Sequence, residues 1–458
     1  MSKLNPDGMA AQKLVVLGGG ESGVGAALLG QAKGFDVFVS DKGPLLDNYR
    51  AVLRDAGIPF EEGHHTEARI LQADEVVKSP GIPEKVPLVQ QLKAKGIPVI
   101  SEIELAARYT RAKLIGITGS NGKTTTTLLI YHLLKTAGLN VGLAGNIGDS
   151  FARQVIDDTF DYYVLELSSF QLDDMYQTRL HTAILLNITP DHLDRYEYNF
   201  QHYVNSKFRI LQNMQPQDNF IYFRENPAIA DELAKRSPDV NRLPVSLEQA
   251  VNPGGYLQNG RLIAGYGEQA FNLDMAELPL KGPHNAINML SAILAAQSVG
   301  VNSEAIAEGL GTFKNAAHRL EPTGTVNGVQ FINDSKATNV DSVFYALASM
   351  EVPTIWIAGG LDKGNDYSQL DRLVRQKVKA LICLGKDNRK LTEYFTGIVP
   401  LVYETQDMKD AVAKGLAWAQ PGDVVLLSPA CASFDLFRNY EDRGNQFKEA
   451  VQRLVDSR

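Results

Sequence analysis

The sequence predicts an α/β protein of three domains, and three observations support this. The chain has 458 residues, which is roughly three domains at about 150 residues each. Short apolar runs alternate with helical patterns, which is typical of βαβ units around parallel sheets. Two glycine-rich loops each follow an apolar run and open a helical pattern. We expect a Rossmann-like N-terminal domain over 1–108, a central P-loop ATPase-like domain with a mostly parallel sheet over 109–315, and a C-terminal Rossmann-like α/β domain over 316–458.

The first two blocks alternate strands with helices. In the N-terminal block the predicted strands are Lys13–Leu17, Asp36–Ser40, Val76–Lys78 and Val99–Ile100, and the predicted helix is Gly23–Lys33. In the central block we predict strands at Leu114–Ile117, Tyr162–Leu167 and Thr182–Ile188, a hairpin at Asn259-Gly260, and helices ending at Ala137 and over Pro283–Val299 and Ser303–Leu310. This block ends near Asn315.

The third block opens with an Asn-Gly hairpin pattern over Thr325–Asn333. The predicted strands that follow are Thr354–Ala358, Ala380–Leu384, Ile398–Val402 and Val424–Ser428, and the closing helix is Asn445–Val455. The same alternation therefore continues to the end of the chain.

Composition excludes several classes of protein. Hydrophobic residues make up 44% and charged residues 21%, which rules out disordered, collagen-like and coiled-coil chains. With 45 Lys+Arg, 53 Asp+Glu and a net charge of -8, the chain is a poor non-specific nucleic-acid binder. An anionic substrate would need local basic residues and backbone amides.

Cysteine use and hydropathy indicate the compartment. The two cysteines, Cys383 and Cys431, exclude a disulfide framework and a cysteine-rich zinc site. The N-terminus has no apolar stretch of signal-peptide length, and no run of about 20 apolar residues occurs. We expect a cytoplasmic protein without membrane insertion.

The first glycine-rich loop is Gly18-Gly-Gly-Glu-Ser-Gly23, which fits G-x-G-x-x-G between a strand and a helix. Asp41 ends the next strand, where dinucleotide folds place a ribose-binding acid. The loop indicates a pyrophosphate ligand but leaves NAD, FAD and UDP-sugars open. A turn that binds nothing is the simpler alternative.

The second loop, Gly119-Ser-Asn-Gly-Lys-Thr124, predicts an ATP site. Its backbone amides would wrap phosphate oxygens, Lys123 would reach the β- and γ-phosphates, and the Thr124 hydroxyl would meet Mg²⁺. Ile117 stands where the full P-loop pattern has its first glycine. The G-K-T core, the preceding strand and the following helix are all present.

Together the motifs resemble the Mur ligases, the amide-forming synthetases of peptidoglycan precursors. The matching segments are Thr118–Thr124, Gly145–Gly148, Leu165–Leu172, Thr189–Arg195, Gly282–Asn288, His318–Glu321 and Asn333–Asn339. They occur in the family's order and span almost the whole chain. Within the family, Asn333–Asn339 and Leu427–Ser433 are similar to the members that add D-glutamate.

The resemblance implies a two-step ligation. A carboxylate of UDP-N-acetylmuramoyl-L-alanine attacks the γ-phosphate of ATP, and the amino group of D-glutamate then attacks the resulting acyl phosphate, leaving ADP and phosphate. Charge must be neutralised by Mg²⁺, Lys and Arg, and water must be excluded. We expect a monomer whose third domain closes on the central one, with a hinge near Asn315–Glu321.

The resemblance also assigns residues to sites. The catalytic residues are Lys123, Glu166, His192, Lys207 and Lys336. ATP is assigned to Gly119, Ser120, Asn121, Gly122, Lys123, Thr124, Thr125, Asn288, Arg319 and Asp334. Two Mg²⁺ ions are assigned to Thr124, Glu166, His192 and Lys207, the last as an N6-carboxylysine. The UDP-substrate is assigned to Gly20, Glu21, Ser22, Asp41, Lys42, Ser79, Asn146, Ser168 and His192, and D-glutamate to Lys336, Thr338, Lys363, Ser433 and Phe434.

Simpler alternatives stay open for several of these residues. Glu166 could cap a loop or pair with a base, Lys207 could be a solvated surface lysine, and Asn288 could lie on a helix surface. Asp191 is chemically a better Mg²⁺ ligand than His192. The remaining alternatives are turn and cap chemistry for Asn146, Ser168 and Ser169, and core packing for Phe434 and Tyr440. The charge of Glu21 is unexpected beside a diphosphate, so its assigned contact would be with the uracil.

Three rival functions remain. A dehydrogenase built on the first loop would leave the second loop and the third block unexplained. A non-catalytic nucleotide-binding module would not need Glu166, His192, Lys207 and Lys336 together. A sister ligase would differ only in the amino acid that it adds.

Overall fold

The computed structural model describes residues 11–267 and 269–456. The outer limits of the predicted first and third domains lie outside the described residues. So do residues 1–10, in which no signal peptide is expected. No helix in the described ranges is long and apolar enough to cross a membrane. The chain divides into two compact units, Met1–Asp274 with Ile287–Thr312 and Met275–Ala286 with Phe313–Arg458. The three-domain limits themselves stay a prediction.

The first sheet of the first unit is fully parallel. Its strands are β1 (Lys13–Leu17), β2 (Asp36–Asp41), β3 (Phe60–Glu62), β4 (Glu75–Lys78) and β5 (Val99–Ile100), in the order β3-β2-β1-β4-β5. The helices are α1 (Glu21–Ala32), α2 (Asp47–Asp55), α3 (Glu67–Ile70), α4 (Pro87–Ala94) and α5 (Glu102–Ala107). The core of β1 is a run of apolar side chains because both faces of a parallel sheet are covered by helices. The four predicted strands are confirmed.

The second sheet of the first unit has nine strands in the order β14-β13-β12-β11-β10-β9-β6-β8-β7. They are β6 (Lys113–Thr118), β7 (Val141–Gly145), β8 (Tyr162–Glu166), β9 (Thr182–Leu185), β10 (Asn219–Phe223), β11 (Asn241–Ser246), β12 (Gly254–Gln258), β13 (Arg261–Tyr266) and β14 (Gln269–Asp274). The pairings of β12 with β13 and of β13 with β14 are antiparallel, and the others are parallel. The predicted Asn259-Gly260 hairpin is confirmed, since both residues adopt positive φ between β12 and β13.

Helices cover this sheet. They are α6 (Lys123–Thr136), α7 (Phe151–Val155), α8 (Ser169–Asp173), α9 (Phe200–Phe208), α10 (Pro227–Arg236), α11 (Pro283–Ser298) and α12 (Ser303–Thr312), with short 3-10 helices at Leu193–Arg195, Arg209–Leu211 and Met275–Glu277. The predicted helices of this block are confirmed within a few residues.

The sheet of the second unit has the order β15-β16-β20-β17-β18-β19. Its strands are β15 (Glu321–Val326), β16 (Val329–Asn333), β17 (Thr354–Ala358), β18 (Val378–Leu384), β19 (Val402–Thr405) and β20 (Val424–Leu427). Its helices are α13 (Val340–Ala348), α14 (Asp371–Lys377), α15 (Arg389–Phe395), α16 (Met408–Trp418) and α17 (Tyr440–Asp456), with a 3-10 helix at Tyr367–Leu370. Only the β15–β16 hairpin is antiparallel.

One predicted strand of this sheet is wrong. The expected strand Ile398–Val402 is a turn, and β19 begins only at Val402. Pro400 has no backbone N–H to donate, so the sheet pairing starts after it. The other predicted strands of the block are confirmed.

The registers bring four loops of the nine-stranded sheet to one edge. Ile117 on β6 pairs with Glu166 on β8 and with Ile184 on β9, and Gly145 on β7 also pairs with Glu166. Because parallel strands end at the same edge, the loops after these four strands lie side by side there.

Candidate active site

The glycine-rich loop after β6 is a compact turn at the N-terminus of α6. Gly119 and Gly122 have φ of +154° and +86°, values that favour glycine. The Lys123 Nζ donates to the carbonyl oxygens of Gly119 at 2.7 Å and Ser120 at 2.9 Å. The loop thus has the backbone amides of a helix N-terminus and a lysine in the same turn, which is the chemistry of an anion site.

Asn288 lies against this loop. A Cβ atom placed on Gly122 would be 2.6 Å from the Asn288 Oδ1, and the Asn288 side chain is buried. The alternative of a surface residue is therefore wrong. The contact also explains why a larger residue than Gly122 would not fit.

Asn187 ties the glycine-rich loop to the loop after β9, and sequence reasoning missed it. Its Oδ1 accepts from the Asn121 amide at 2.8 Å, and its Nδ2 donates to the Asn121 carbonyl at 3.0 Å. Ser120 makes a second link, because its Oγ donates to the Thr189 carbonyl at 2.9 Å. The segment that carries His192 is thereby held beside the loop. The only sequence signal was its place at the end of a predicted strand, Thr182–Ile188.

Glu166 ends β8 as a buried carboxylate. Its Oε1 accepts from the Asn146 Nδ2 at 2.8 Å. Its Oε2 is buried and has no hydrogen-bond partner among the described residues. A buried carboxylate oxygen without a partner is costly, by about 1–3 kcal/mol or more, and a cation would satisfy it. The alternatives of a loop cap or a pair with a base are wrong.

Lys207 on α9 is buried, so the interpretation as a surface lysine is wrong. Its Nζ donates to the Thr118 Oγ1 at 3.1 Å and to the Gly119 carbonyl at 3.0 Å. Burial, and then the nearby positive charge of Lys123, hold the pKa of the Lys207 amine well below its usual value. The folded protein therefore favours the neutral form of the Lys207 amine.

His192 occupies a strained turn on the loop after β9. Its φ of +52° lies in the left-handed region, and it starts the 3-10 helix Leu193–Arg195. The ring packs edge-on against Phe170 with a centroid distance of 5.2 Å. Its Nε2 lies 3.6 Å from the Asp191 Oδ2. Asp191 and His192 are therefore neighbours in space, and either could serve as a ligand.

The donor set at this edge fits Mg²⁺ better than a softer metal. The described ranges hold no group of three or more His, Cys, Asp and Glu side chains close enough to bind a metal. The available donors are the unpartnered Glu166 oxygen, the Thr124 hydroxyl at the start of α6 and the Asp191–His192 pair. Oxygen-rich, incomplete sets of this kind suit Mg²⁺, which keeps several waters. Lys207 would offer oxygen ligands only as its carbamate, because the unmodified side chain has none.

The first glycine-rich loop is held by Asp41. The Asp41 Oδ2 accepts from the Gly19 amide and its Oδ1 from the Gly43 amide, both at 2.7 Å. A Cβ atom on Gly18 would be 2.7 Å from the Ser79 Cβ. The structure therefore brings Asp41 and Ser79 to the loop that carries Gly20, at the N-terminus of α1.

Glu21 contacts the central part of the first unit. Its Oε1 accepts from the Ser150 amide at 3.2 Å and lies 3.9 Å from the Arg153 Nε. These contacts give the acidic side chain structural partners in Ser150 and Arg153. Ser22 is half-buried and Lys42 is exposed.

Ser168 and Asn146 partly follow the simpler alternatives. The Ser168 Oγ accepts from the Gln171 amide at 3.2 Å and caps α8. The Asn146 amide donates to the Glu166 carbonyl at 2.8 Å. Cap and turn chemistry is thus present, and it leaves Ser168 and Asn146 next to Glu166 in the same loop cluster.

Asp334 follows β16 in the second unit. Its Oδ1 accepts from the Leu320 amide at 3.2 Å and its Oδ2 from the Ser428 Oγ at 2.9 Å. Burial raises the pKa of Asp334 to about 7. The hydrogen bond to Leu320 places Asp334 next to Arg319, which lines a cavity of about 440 Å³ together with Lys281.

Lys336 lies over an aromatic ring. Its Nζ is 3.6 Å from the centroid of the Tyr440 ring, a cation–π contact. Phe434 is 67% exposed, so core packing does not explain it. Ser433 is buried, whereas Thr338 and Lys363 are exposed.

Arg443 on α17 joins the loops that carry these residues, and sequence reasoning missed it. Its guanidinium donates to the Ser335 carbonyl at 2.8 Å, to the Cys431 carbonyl at 3.1 Å and to the Gly359 carbonyl at 3.4 Å. These carbonyls follow β16, β20 and β17. Burial lowers the pKa of Arg443 to about 10, so it stays charged. No local pattern in the sequence distinguishes it from a surface arginine.

Three family models match the chain in order. The model of the MurD-like N-terminal domain of Mur ligases matches residues 12–101, that of the Mur ligase middle domain 117–296, and that of the Mur ligase glutamate ligase domain 318–431.

Similar proteins extend this match. The UDP-N-acetylmuramoylalanine–D-glutamate ligase of Bacteroides fragilis is 53% identical over 444 residues, which cover 97% of this chain and 100% of that protein. The protein of the same name from Christiangramia forsetii is 50% identical over 443 residues, with coverage of 97% and 100%. A pseudomurein peptide ligase type C from Methanothermus fervidus shares the fold, with a TM-score of 0.62 at 20% identity and coverage of 97% and 99%. The chain therefore belongs to the Mur ligase family.

Proposed function

We propose that this chain joins D-glutamate to UDP-N-acetylmuramoyl-L-alanine in an ATP-dependent amide ligation. The names of two relatives at 50% and 53% identity state that reaction. The observation that carries the proposal is the cluster at one sheet edge, where the glycine-rich loop, the buried Glu166 and the buried Lys207 lie together. A glycine-rich turn beside a carboxylate with one unpartnered oxygen is suited to phosphoryl transfer with a cation.

The chemistry has two balanced steps. In the first, a carboxylate oxygen of the UDP-substrate forms a bond to the γ-phosphorus of ATP while the bond from that phosphorus to the bridging oxygen breaks, which releases ADP. In the second, the amino nitrogen of D-glutamate bonds to the acyl carbon, phosphate leaves and the nitrogen loses a proton. Both steps bring anions together, so the site must supply cations and exclude water.

ATP would bind at the loop of Gly119–Thr125. The amides at the start of α6 and the Lys123 ammonium would hold the β- and γ-phosphates. Asn288 lies against Gly122 and would meet the nucleotide from the same side. From the second unit, Arg319 and Asp334 would contact phosphate and ribose.

Two Mg²⁺ ions would complete the phosphate site. We assign the first to Thr124 and Glu166, since Glu166 has an oxygen without a partner. We assign the second to His192 and to Lys207 as an N6-carboxylysine, with Asp191 as the neighbouring oxygen donor. When bound, these ions supply positive charge at the transferred phosphoryl group.

Carboxylation of Lys207 has physical support. A lysine reacts with carbon dioxide only as the neutral amine, and burial lowers the pKa of Lys207 well below its usual value. The reaction forms an N–C bond and releases one proton, so a group that is cationic or neutral becomes an anion. The product would remove the repulsion between Lys207 and Lys123 and offer two hard oxygen ligands.

The UDP-substrate would bind across the first unit. The Gly18–Gly23 loop, with Gly20 and Ser22 at the start of α1, is suited to the diphosphate. The remaining assigned contacts are Glu21, Asp41, Lys42, Ser79, Asn146, Ser168 and His192. Asn146 and Ser168 lie beside Glu166, which supports binding of the reacting carboxylate near the phosphate site.

D-glutamate would bind to the second unit. Its two carboxylates suit the ammonium groups of Lys336 and Lys363, and Thr338 and Ser433 offer hydroxyls. The exposed ring of Phe434 would cover the methylene groups of the substrate. Tyr440 holds Lys336 through the cation–π contact, so it would fix the position of that ammonium.

Three properties complete the proposal. The domains are 1–108, 109–315 and 316–458, the protein acts as a monomer, and it works in the cytoplasm. The domain limits rest on the positions of the loops. The monomeric state rests on the chain's ability to supply every assigned site. The third rests on the use of ATP and a UDP-linked precursor.

Phosphate release tests the function. The protein is incubated with ATP, Mg²⁺ and UDP-N-acetylmuramoyl-L-alanine, and a panel of amino acids is added singly. Release that depends on D-glutamate is expected. Release with L-alanine, a diamino acid or a dipeptide instead would refute the amino acid, and binding of NADH with no ADP formed under any combination would refute the ligase.

Two lysines on the same helix provide a matched comparison. Lys123→Met is expected to lower kcat by at least about a hundredfold, because the phosphate contact is lost. Lys135→Met removes an exposed lysine near the other end of α6 and is expected to leave the rate unchanged. Equal losses in the two variants would contradict the assignment of ATP to this loop.

A further inference from the structure

The loop Ser79–Ile82, which follows β4, is held through its carbonyl oxygens. The Arg195 guanidinium donates to the carbonyls of Pro80 and Gly81, each at 3.2 Å. The Lys78 Nζ donates to the Ile82 carbonyl at 2.9 Å and lies 2.8 Å from the Asp174 carboxylate. Three successive carbonyls of this loop therefore accept from cationic side chains.

Arg195 comes from the segment that carries His192. Its guanidinium lies 4.2 Å from the centroid of the Phe170 ring, and the same ring packs edge-on against His192. The Arg195 amide donates to the His192 carbonyl at 2.9 Å. One arginine thus touches the 79–82 loop with its side chain and His192 with its backbone.

The segment around Arg195 is conformationally strained. His192, Glu197 and Tyr198 all have φ between +52° and +55°. Non-glycine residues in the left-handed region cost about 1–3 kcal/mol each and persist only where their surroundings hold them. The contacts of Arg195 to Pro80, Gly81 and Phe170 are restraints of that kind.

We propose that Arg195 is a positioning residue that couples the UDP-substrate loop to the reaction centre. This role of Arg195 rests on the proposed function, in which Ser79 contacts the UDP-substrate and His192 lies at the reacting carboxylate. Binding of the UDP-substrate orders the 79–82 loop, and the two hydrogen bonds of Arg195 transmit that order to the turn that orients His192. By linkage, an ordered His192 turn in return strengthens binding of the UDP-substrate.

The planar guanidinium suits this task. It donates to two carbonyls while stacking on a ring, which a lysine ammonium does not reproduce. Lys78 anchors only the far end of the loop, so the loop keeps one attachment when Arg195 is lost. The fold is therefore expected to survive the substitution.

Arg209 is a matched control. Its guanidinium donates to the carbonyls of Leu172 and Met175 and lies 5.4 Å from the Tyr176 ring centroid. It makes the same kinds of contact as Arg195, and its hydrogen-bond partners are outside the 79–82 loop. Arg195→Met and Arg209→Met therefore remove the same kinds of hydrogen bond and cation–π contact from two different parts of the fold.

The first measurement is binding by titration calorimetry with UDP-N-acetylmuramoyl-L-alanine in the absence of ATP. For Arg195→Met we expect the Kd to rise about tenfold, which is the change that the loss of one charge-assisted hydrogen bond produces. In steady state its KM for the UDP-substrate rises likewise and kcat falls, while the KM values for ATP and D-glutamate stay within about twofold. Arg209→Met keeps the wild-type Kd, and Arg195→Lys recovers only part of the loss.

The second measurement is amide hydrogen exchange of peptides that cover 79–84 and 189–199. In Arg195→Met exchange rises in both peptides, and in Arg209→Met it rises in neither. An unchanged Kd, an equal rise of Kd in the two methionine variants, or faster exchange in only one peptide would overturn the proposal. If the wild-type protein bound no UDP-substrate and formed no ADP, the proposed function would fail, and the exchange data would still decide whether Arg195 couples the two segments.

Discussion

Lys207 shows how a single buried side chain can define a site. It lies within hydrogen-bond distance of the glycine-rich loop, and the charge of Lys123 opposes its protonation. Two lysines that face one phosphate site would repel each other if both were cationic. The fold therefore favours a neutral or modified Lys207, which is a specific chemical expectation for one residue.

Lys207→Ala is expected to lower kcat by at least about a hundredfold, because the proposed carbamate on Lys207 and its metal-binding oxygens would be lost. Short carboxylates such as formate or acetate should restore part of the rate, since they can occupy the space left by the side chain. Lys207→Arg retains the bulk and the positive charge of the side chain, so added carboxylates should not restore its rate. Carbon-13 NMR in labelled bicarbonate should show a carbamate signal in the wild type that the alanine variant lacks. Unchanged turnover in Lys207→Ala would exclude a catalytic role.

Glu102 gives a prediction for stability against pH. It is buried on α5, where its Oε1 accepts from the Ser150 Oγ and the Ala152 amide, both at 2.6 Å. Burial raises its pKa from 4.5 to about 7. Between these two values the folded protein keeps a proton that the unfolded chain has released, so stability falls as pH rises.

The comparison is wild type against Glu102→Gln by urea unfolding from about pH 5 to 8. The free energy of unfolding of the wild type should fall relative to the variant by up to about 1.4 kcal/mol per pH unit between about pH 5 and 7. The contributions of the other buried acids to the pH dependence cancel in the difference between wild type and Glu102→Gln. A difference that does not vary with pH, or one that grows in favour of the wild type, would show that Glu102 is ionised throughout.

At the scale of elements, the ends of parallel strands set the site. Gly145 ends β7 with φ of +104°, and a Cβ atom there would lie 2.2 Å from the Glu166 carbonyl oxygen. That oxygen belongs to the backbone, which has little room to move. The close pairing of β7 and β8 therefore requires a residue without a side chain beside Glu166.

Gly145→Ala is expected to displace the backbone of Glu166, lower kcat at least tenfold and destabilise the protein by about 2 kcal/mol or more. Gly138→Ala is the control, since it has a φ of +77° with no atom within 4 Å of the added Cβ. It should cost only about 1 kcal/mol, with normal turnover. Thermal unfolding and phosphate release measure the two effects. Equal behaviour of the two variants would refute the steric argument.

On the scale of the whole molecule, a net charge of -8 coexists with three anionic substrates. The cations assigned to them are distributed over both units, with Lys123 in the first and Lys336 in the second. Their environments differ, because Lys123 is half-buried in the glycine-rich loop whereas Lys363 is exposed. We therefore expect anion binding to depend on the local placement of cations rather than on overall charge.

Substrates are expected to draw the two units together, because water must be kept from the acyl phosphate. The predicted hinge, Asn315–Glu321, begins three residues after the first unit ends at Thr312. Small-angle scattering should show a smaller radius of gyration with a non-hydrolysable ATP analogue, the UDP-substrate and D-glutamate present together than with none. No compaction with all three ligands would count against a closing motion.

The sequence by itself determined most strands of the three sheets, two of the loops between them and the family. Apolar periodicity placed the strands, and the glycine and G-K-T patterns marked two loops, because turns at strand ends depend on local chain chemistry. Among the predicted strands β19 was misplaced by three to four residues around Pro400. Five further strands, β3, β7, β10, β11 and β14, were not predicted. The predicted features need no knowledge of distant contacts.

Only the tertiary structure decided the environments of individual side chains. It buries Lys207, exposes Phe434, gives Glu21 a partner in Arg153 and turns Arg443 into the link between three loops. Burial and pairing depend on residues far away in the chain, and the same local pattern is compatible with either outcome. The tertiary structure therefore decided which charges lie in the site, since only the packed fold removes water from some of them and leaves it on others.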